Sequence, residues 1–225
     1  MASDVTSKDF VFSFNKNGEL EFVGDFEGLY QSVEDPWGQS AKGDYLDQLY
    51  KQSRQTLKNT ISEFKGAISG CEIGCGLGHV TNDLNCYFKD ISWDGIDISN
   101  TAVKKAQKLF PSIDFIQGDI ASSNFSWNKS YDVVILNQIL WYLLEGLDKV
   151  FFNLEKMLKQ DGHLIISTFF LKDQKYGTDI IGSFDDLIFY ILSNHRQRYK
   201  IILADIKYGD EEAKYRDSIL VLKKL

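Results

Sequence analysis

The stretch of sequence that decides the fold is CEIGCGLGH, residues 71–79 of a chain of 225. It follows an apolar run, Ile68–Ile73, that reads as a buried strand, and it precedes a helical pattern over Val80–Phe88. A glycine-rich loop between a strand and a helix lets a ligand lie against the backbone, because glycine has no side chain to hold it away. The pattern is G-x-G-x-G, and His79 stands where the dinucleotide-binding pattern G-x-G-x-x-G has its third glycine.

The acidic residue in front of this loop indicates the charge of the ligand. Glu72 lies at the end of the strand, two residues before the first glycine, Gly74. Its carboxylate would repel a pyrophosphate at the N-terminus of the following helix and would favour a cationic ligand. S-adenosylmethionine carries a sulfonium and an ammonium group. The loop therefore favours S-adenosylmethionine over a nicotinamide dinucleotide as the cofactor.

Outward from the loop, the chain alternates between short apolar runs and helical patterns. Strands that alternate with helices at this spacing indicate parallel βαβ units. Tyr199–Ile206 and Tyr215–Leu222 lie too close together for a crossover helix and predict an antiparallel hairpin. We expect an α/β fold with a doubly wound, mostly parallel, seven-stranded sheet and helices on both faces. The other predicted strands are Ile68–Ile73, Ser92–Ile98, Ile113–Gln117, Tyr131–Leu136 and His163–Phe170, and a helix over Leu147–Leu158 should stop at Asp161-Gly162.

Acidic residues follow the second and third strands at the edge where the glycine loop lies. Asp97 ends the second strand and is placed to hold both hydroxyls of a ribose, with Ile98 against an adenine ring. Asp119 follows the third strand and can accept the adenine amino group, with Ile120 packing nearby. Each aspartate alone could instead be a helix cap, but together they fit one nucleoside.

The ordered set resembles the class I S-adenosylmethionine-dependent methyltransferases over about residues 66–170. Asn137 and Gln138 end the fourth strand, at the switch point where open α/β sheets bind ligands. The resemblance implies S-adenosylmethionine as the cofactor and S-adenosylhomocysteine as the product. It implies these cofactor-binding residues: Glu72, Gly74, Cys75, Gly76, Gly78, Asp97, Ile98, Asp119, Ile120, Asn137 and Gln138.

A second resemblance, to the nodulation-type small-molecule methyltransferases, covers DPWG at residues 35–38 and NQILWYL at 137–143. Gln138 stands where an acid is common in that family. We expect an N-terminal lid and helix over residues 1–65, with a hairpin at Asn17-Gly18, and a methyltransferase domain over 66–225. An insert at about 171–195 should cap the substrate. The acceptor-binding residues expected from the resemblance and from the aromatic pattern are Trp37, Tyr45, Trp141 and Tyr142, although aromatic residues at such positions also build cores.

Composition excludes several classes of partner. The net charge of −7 and the lack of a basic stripe disfavour a nucleic acid. Three cysteines without a C-x-x-C pair favour reduced thiols, and the three histidines show no metal-ligand spacing. The first ten residues lack the pattern of a secretory signal, and no apolar run is long enough to span a membrane. We expect a cytoplasmic protein with no metal, whose oligomeric state the sequence does not specify.

The predicted activity is methyl transfer to a small polar acceptor: an amine, a hydroxyl or a phosphate of a sugar or a sugar-derived metabolite. No side chain is identified as a general base, which favours an amine or an acceptor that is already acidic. Two alternatives remain open. One is a non-catalytic protein that binds S-adenosylmethionine, and the other is a nicotinamide oxidoreductase.

Overall fold

The structure, a computed structural model, describes residues 7–40, 44–207 and 215–225, and of residues 7, 8, 44–50, 207 and 215 it describes the backbone alone. The sheet strands are β3 (Ser69–Ile73), β4 (Ser92–Asp97), β5 (Asp114–Gln117), β6 (Tyr131–Asn137), β7 (Leu158–Leu171), β8 (Tyr199–Lys207) and β9 (Tyr215–Lys224). The helices around them are α3 (Asp44–Ser62), α4 (His79–Tyr87), α5 (Asn100–Leu109), α6 (Leu147–Met157) and α7 (Phe184–Asn194).

The seven strands form one sheet in the order β5-β4-β3-β6-β7-β9-β8. The first five are parallel, and β9 is antiparallel to both β7 and β8. This confirms the predicted doubly wound sheet with its antiparallel terminal hairpin. The strand order reverses between β3 and β6, so the carboxyl ends of these two strands border the crevice where such sheets bind ligands.

Strand β6 shows why the central strands are almost wholly apolar. Val133 and Ile135 belong to the core beneath α3 and α4, whereas Val134 and Leu136 belong to the core beneath α6 and α7. Successive side chains of a strand point to opposite faces, so a strand covered on both faces must be apolar throughout. The two cores fix the sheet between its helices and leave the strand ends open to a ligand.

The structure differs from the sequence prediction where α6 meets β7. The helix ends at Met157 and β7 begins at Leu158, so the predicted stop at Asp161-Gly162 is wrong. Tyr131 pairs with Leu158 and Val133 with His163, which leaves extra β7 residues at this point, and Asp161 has a positive φ of 63°. This irregularity is a bulge inside the strand, and turn-forming residues mark it as readily as they mark a helix end.

The N-terminal cap, residues 7–40, lies over the open strand ends. It consists of α1 (Ser7–Val11), β1 (Phe12–Phe14), β2 (Leu20–Phe22) and α2 (Phe26–Ser32). The hairpin predicted at Asn17-Gly18 is confirmed: β1 and β2 pair antiparallel, and Gly18 has a φ of 78°. Tight turns require such positive φ values, which glycine adopts readily.

Helix α2 of the cap is attached to α5 at two points. The Glu27 carboxylate accepts hydrogen bonds from Ser99 Oγ at 2.7 Å and from Thr101 Oγ1 at 2.6 Å, and it also accepts from Thr101 N. Lys105 Nζ donates to the carbonyl of Tyr30 at 2.7 Å. A carboxylate at the start of α5 and an ammonium at the end of α2 both complement the helix dipoles. The cap is therefore fixed to the helix that follows β4.

None of the helices in the described ranges has the length and apolar character needed to cross a bilayer.

Candidate functional site

A cavity of about 910 Å³ lies at the carboxyl ends of the central strands, beneath the N-terminal cap. Two parts of its wall differ in character. The loop end is formed by residues that follow β3, β4 and β5: Gly74, Asp97, Ile98, Asp119 and Ile120. The aromatic end is formed by three rings of the cap and one from the loop after β6: Phe22, Phe26, Trp37 and Tyr142.

The glycine loop brings the backbone to the cavity surface. Gly74 lines the cavity with a φ of 69°, and a Cβ on it would lie 2.8 Å from the Ile139 side chain. A Cβ on Gly76 would lie 2.5 Å from Tyr30 Oη. Both positions therefore require glycine, the first for the cavity surface and the second for the cap that covers the loop. The other predicted residues of the loop lie behind the cavity surface and do not line it: Cys75, Gly76 and Gly78.

Asp97 is held by the backbone on both sides. Its Oδ2 accepts a hydrogen bond from Gly76 N at 2.8 Å, and its Oδ1 accepts one from Ser99 N at 2.9 Å. Burial raises the pKa of Asp97 to about 6. The N-cap of α5 is Ser99, whose side chain accepts from Ala102 N, so Asp97 is not the helix cap. Its carboxylate faces the cavity.

Glu72 lies behind the cavity wall. It is 2% exposed, and Thr81 Oγ1 donates to its carboxylate at 2.5 Å. Burial raises the pKa of Glu72 to about 7. Glu72 thus joins the glycine loop to α4 from behind the cavity surface, and its predicted contact with the cofactor stays a prediction.

The rest of the loop end suits a flat apolar ring that has polar groups at its edge, because it combines two isoleucines with one aspartate. Ile98 is 46% exposed although it lies in the cavity wall, and Ile120 is buried beside it. Asp119 lines the cavity and its Oδ1 accepts from Ala121 N at 2.9 Å. The hydrogen bond to the backbone orients this carboxylate and leaves its second oxygen for a donor from the cavity.

Two amide side chains end β6 at the switch point. Asn137 is 8% exposed, and its Oδ1 has no hydrogen-bond partner among the described residues. Gln138 has a φ of 59°, and its Oε1 likewise lacks a partner in the described ranges. Both residues line the cavity. A buried carbonyl oxygen without a donor costs free energy, so these atoms mark places where a ligand donor is expected.

The aromatic end is built around Tyr142. Its ring stacks on Phe22 at 6.1 Å between centroids with 14° between planes, and it meets Phe26 edge-on at 5.1 Å. Trp37 lies 6.0 Å from the same ring, and its Nε1 donates to Tyr30 Oη at 3.0 Å. The structure thus brings Trp37 and Tyr142 together in the cavity wall.

Three other acceptor predictions have different outcomes. Trp141 packs in the core against Phe170, and its Nε1 donates to the Phe169 carbonyl at 3.0 Å, so it does not line the cavity. The side chain of Tyr45 lies outside the described residues. The expected substrate-capping insert lies outside the wall and contains α7; its Tyr176 supports the aromatic end from behind, 6.0 Å from Phe22.

Several wall residues were not identified from the sequence. Ser53 and Arg54 of α3 line the cavity, and both Ser53 Oγ and Arg54 Nε are buried without a partner among the described residues. Arg54 Nη2 donates to the carbonyl of Gln39 at 2.8 Å, which ties α3 to the cap. No local motif marks these residues, because they meet the loop end through tertiary packing alone.

The histidines do not contribute to the cavity wall. His163 stacks on Phe64 at 4.0 Å, His195 stacks on Phe151 at 4.4 Å, and His79 packs edge-on against Phe110. In the ranges that the structure describes, no cluster of three or more histidine, cysteine or acidic residues could hold a metal ion.

Two curated proteins with methyltransferase names are similar to this chain in sequence. A putative methyltransferase, 235L, of Invertebrate iridescent virus 6 is 30% identical over 156 residues, which are 69% of this chain and 46% of that protein. The malonyl-[acyl-carrier protein] O-methyltransferase of Halalkalibacterium halodurans is 33% identical over 103 residues, 44% of this chain and 38% of that protein. The chain thus spans less than half the length of these curated relatives.

Solved structures share the fold. The N-methyltransferase NodS of Bradyrhizobium japonicum WM9, in complex with S-adenosyl-L-homocysteine, superposes with a TM-score of 0.64 and 20% identity, and the match covers 87% of this chain and 97% of that chain. A family model described as a methyltransferase domain matches residues 65–205. The match covers more than half of the chain, including the glycine loop and the loop end of the cavity, and so the chain belongs to the methyltransferase domain family.

Proposed function

We propose that this protein binds S-adenosylmethionine in the cavity and transfers its methyl group to a small-molecule acceptor. The observation that carries the proposal is the set of buried polar atoms without partners among the described residues. Two of them, on Ser53 and Arg54, can donate hydrogen bonds, and one, Asn137 Oδ1, accepts. A zwitterionic amino acid supplies the matching carboxylate and ammonium.

The loop end fits the nucleoside part of this cofactor. The Asp97 carboxylate, already oriented by Gly76 N and Ser99 N, would accept the ribose hydroxyls. Ile98 and Ile120 would lie against the adenine ring, and Asp119 would accept its amino group. The nucleoside and the amino-acid part together account for the wall from β5 to α3.

The amino-acid part fits the wall where α3 meets β6. Arg54 carries a fixed positive charge, and with Ser53 it would bind the carboxylate of the methionine moiety. Asn137 Oδ1 would accept its ammonium. The carboxylate of Glu72 behind Asn137 makes this region favourable for positive charge without direct contact with the ammonium.

The bound cofactor would supply an electrophilic methyl group on a sulfonium. The protein would align the acceptor with it, and alignment of two bound reactants is a large part of catalysis in such reactions. The aromatic rings of the cap exclude water from the transfer site. A cavity of about 910 Å³ is large enough for both molecules.

We infer a small polar acceptor, such as a sugar-derived metabolite with an amine, a hydroxyl or a phosphate. The named relatives differ in the atom that they methylate. NodS is an N-methyltransferase, and the Halalkalibacterium halodurans protein is a malonyl-[acyl-carrier protein] O-methyltransferase, so both nitrogen and oxygen acceptors occur among proteins similar to this chain.

Calorimetry tests the proposal. The protein is titrated with S-adenosylmethionine, S-adenosylhomocysteine and NADH, with Asp97→Ala as the binding variant and Asp114→Ala, an exposed aspartate of β5, as the matched control. We expect micromolar binding of both sulfur ligands, lost in Asp97→Ala and kept in Asp114→Ala. Binding of NADH alone, or no binding, would refute the proposal. Binding without consumption of the cofactor in the presence of a broad acceptor library would favour a non-catalytic binding protein.

A further inference from the structure

We propose that Gln138 selects the methyl acceptor and that the acceptor is an amine, whose N–H donates to Gln138 Oε1. This inference rests on the proposed function and goes beyond it, because it names the acceptor class and the residue that reads it. Three features of Gln138 support it: its backbone conformation, its unpaired side-chain oxygen and its lack of a titratable group.

The backbone holds Gln138 at a set position in an unfavourable conformation. Its φ of 59° lies in the left-handed region, which residues with a side chain seldom adopt. Its N–H donates to the Ser167 carbonyl at 2.7 Å, so the residue is still bonded to β7 when the chain leaves the sheet. Such strained residues cluster at functional sites, where the surrounding structure maintains them. The left-handed conformation of Gln138 turns the chain from β6 into the loop that carries Tyr142.

The side-chain oxygen of Gln138 lies in the cavity wall without a partner. Oε1 is buried and has no donor among the described residues. The neighbouring Asn137 differs because its side chain also hydrogen bonds Glu72, on the side of the glycine loop. Asn137 is thereby assigned to the cofactor, and Gln138, which begins the loop that leads to Tyr142, is left for the acceptor. An acceptor N–H would satisfy the orphaned oxygen.

The side chains of the cavity wall favour an amine over a hydroxyl as the methyl acceptor. A hydroxyl acceptor must lose its proton during transfer, and an amide cannot take it. The carboxylates of the loop end are assigned to the cofactor, Asp97 to the ribose hydroxyls and Asp119 to the adenine amino group. Glu145 is exposed and hydrogen bonds Tyr176. Asp217 is the other carboxylate of the wall, and it is therefore included in the test below.

An amine that leaves its proton to water before it binds, and so arrives in its neutral form, needs no base in this step. The nitrogen lone pair forms the new N–C bond while the C–S bond breaks and its electrons pass to sulfur. The positive charge moves from sulfur to nitrogen, and the product ammonium then loses its proton to water. The amide oxygen of Gln138 and the ring faces of the aromatic end stabilise a positive charge on the nitrogen. The same rings would hold an apolar or flat body that carries the amine.

The test compares ligands that differ only in the acceptor atom. Protein saturated with S-adenosylhomocysteine is titrated with benzylamine and with benzyl alcohol, and methyl transfer to the same pair and to glucosamine and glucose is measured with S-adenosylmethionine. The variants are Gln138→Leu, Gln138→Glu and Asp217→Asn. The control is Gln52→Leu, which replaces another glutamine of the cavity wall.

We expect the amine to bind at least about tenfold more tightly than the alcohol and to be methylated faster. Gln138→Leu should abolish this preference, and Gln52→Leu should keep it. Gln138→Glu should hold the amine as an unreactive ammonium and lower its turnover near neutral pH. Asp217→Asn should leave amine methylation within about twofold, since one tenfold step is the effect expected of a direct contact.

Four results would overturn the inference. These are equal or tighter binding of the alcohol, a preference that persists in Gln138→Leu, turnover that depends on Asp217, and no detectable binding or methylation of any amine. Failure of the proposed function would look different, because S-adenosylhomocysteine itself would not bind. If it binds and alcohols are preferred, methyl transfer stands and the assignment of Gln138 is wrong.

Discussion

The loop end and the aromatic end of the cavity are built in opposite ways. At the loop end, each residue follows its own strand, and the backbone orients the carboxylates, as Gly76 N and Ser99 N do for Asp97. At the aromatic end, rings from separate elements meet: Phe22 and Phe26 come from the cap, and Tyr142 comes from the loop after β6. One end depends on backbone geometry, and the other depends on packing.

The difference separates the tasks of the two ends. Backbone contacts admit little adjustment, which suits a cofactor that is the same for every enzyme using it. Side-chain packing can be changed residue by residue without altering the sheet, which suits an acceptor that differs between enzymes. Changes at the loop end should therefore affect cofactor binding, and changes at the aromatic end should affect acceptor choice.

The largest effect is expected from Gly74→Ala. The new Cβ would lie 2.8 Å from Ile139 at a φ of 69° and would occupy the surface where the cofactor lies. We expect affinity for S-adenosylhomocysteine to fall about a hundredfold, measured by calorimetry. Gly66→Ala is the matched control, because Gly66 has a φ of 79° and no atom within 4 Å of the added Cβ. Equal losses in both variants would show that backbone strain, and not the cavity surface, is responsible.

Arg54→Met tests the wall of α3, where the carboxylate of the cofactor is proposed to bind. Loss of the guanidinium should weaken S-adenosylhomocysteine binding about tenfold, because a charged hydrogen bond to the carboxylate is lost. Binding of 5′-methylthioadenosine, which lacks the amino-acid part, should stay within about twofold of the wild type. If both ligands weaken equally, Arg54 acts through its hydrogen bond to Gln39 and not through the cofactor carboxylate.

The pH dependence of binding should report Asp97. Burial raises its pKa to about 6, and ribose hydroxyls donate to the ionised carboxylate. Affinity for S-adenosylhomocysteine should therefore rise as pH rises through 6, with about a tenfold gain from pH 5 to pH 7.5. Asp97→Asn should bind weakly at every pH, and Glu72→Gln, which removes the carboxyl whose pKa burial raises to about 7, should keep the rise through pH 6. A flat wild-type profile would contradict the assignment of this carboxylate to the ribose.

The smallest effect is expected where the cap joins the domain. Hydrogen bonds from Thr101 and Ser99 lower the pKa of Glu27 to about 2. Glu27→Gln should reduce the free energy of unfolding by about 1 kcal/mol at pH 7, as loss of a helix-terminal carboxylate does. Because the folded pKa lies below the unfolded value, the difference should shrink as pH falls below about 4.5 and vanish near pH 2. Denaturant titration measures it, with the exposed Glu34→Gln as control; a loss that persists at pH 2 would exclude the charge as its cause.

Much of the fold and of the loop end could be predicted from the sequence because their determinants are local. The alternation of apolar runs and helical patterns led to the correct sheet, and strand polarity placed Asp97, Asp119 and Gln138 at one edge. Prediction fails where the same residues are typical of two different local structures. Asp161-Gly162 suits a helix end and a bulge equally well, and the difference depends on pairing with β6.

The aromatic end could be predicted only in part because its residues come from distant positions. Trp141 and Tyr142 are neighbouring aromatic residues, and the turn after β6 directs the first into the core and the second into the cavity. Ser53 and Arg54 resemble any polar residues on a long helix. Their roles arise from where α3 packs, which no local pattern specifies.

The attachment of α2 to α5 bears on how molecules enter and leave. With Glu27 on the first turn of α5 and Lys105 on the last carbonyls of α2, this part of the cap moves with the sheet. We therefore expect α2 to stay on the sheet as a wall, and passage to occur on the α3 side, where Arg54 reaches the carbonyl of Gln39. The release of product would depend on how often that contact opens, so residence time and turnover can be tuned there without any change to the chemistry.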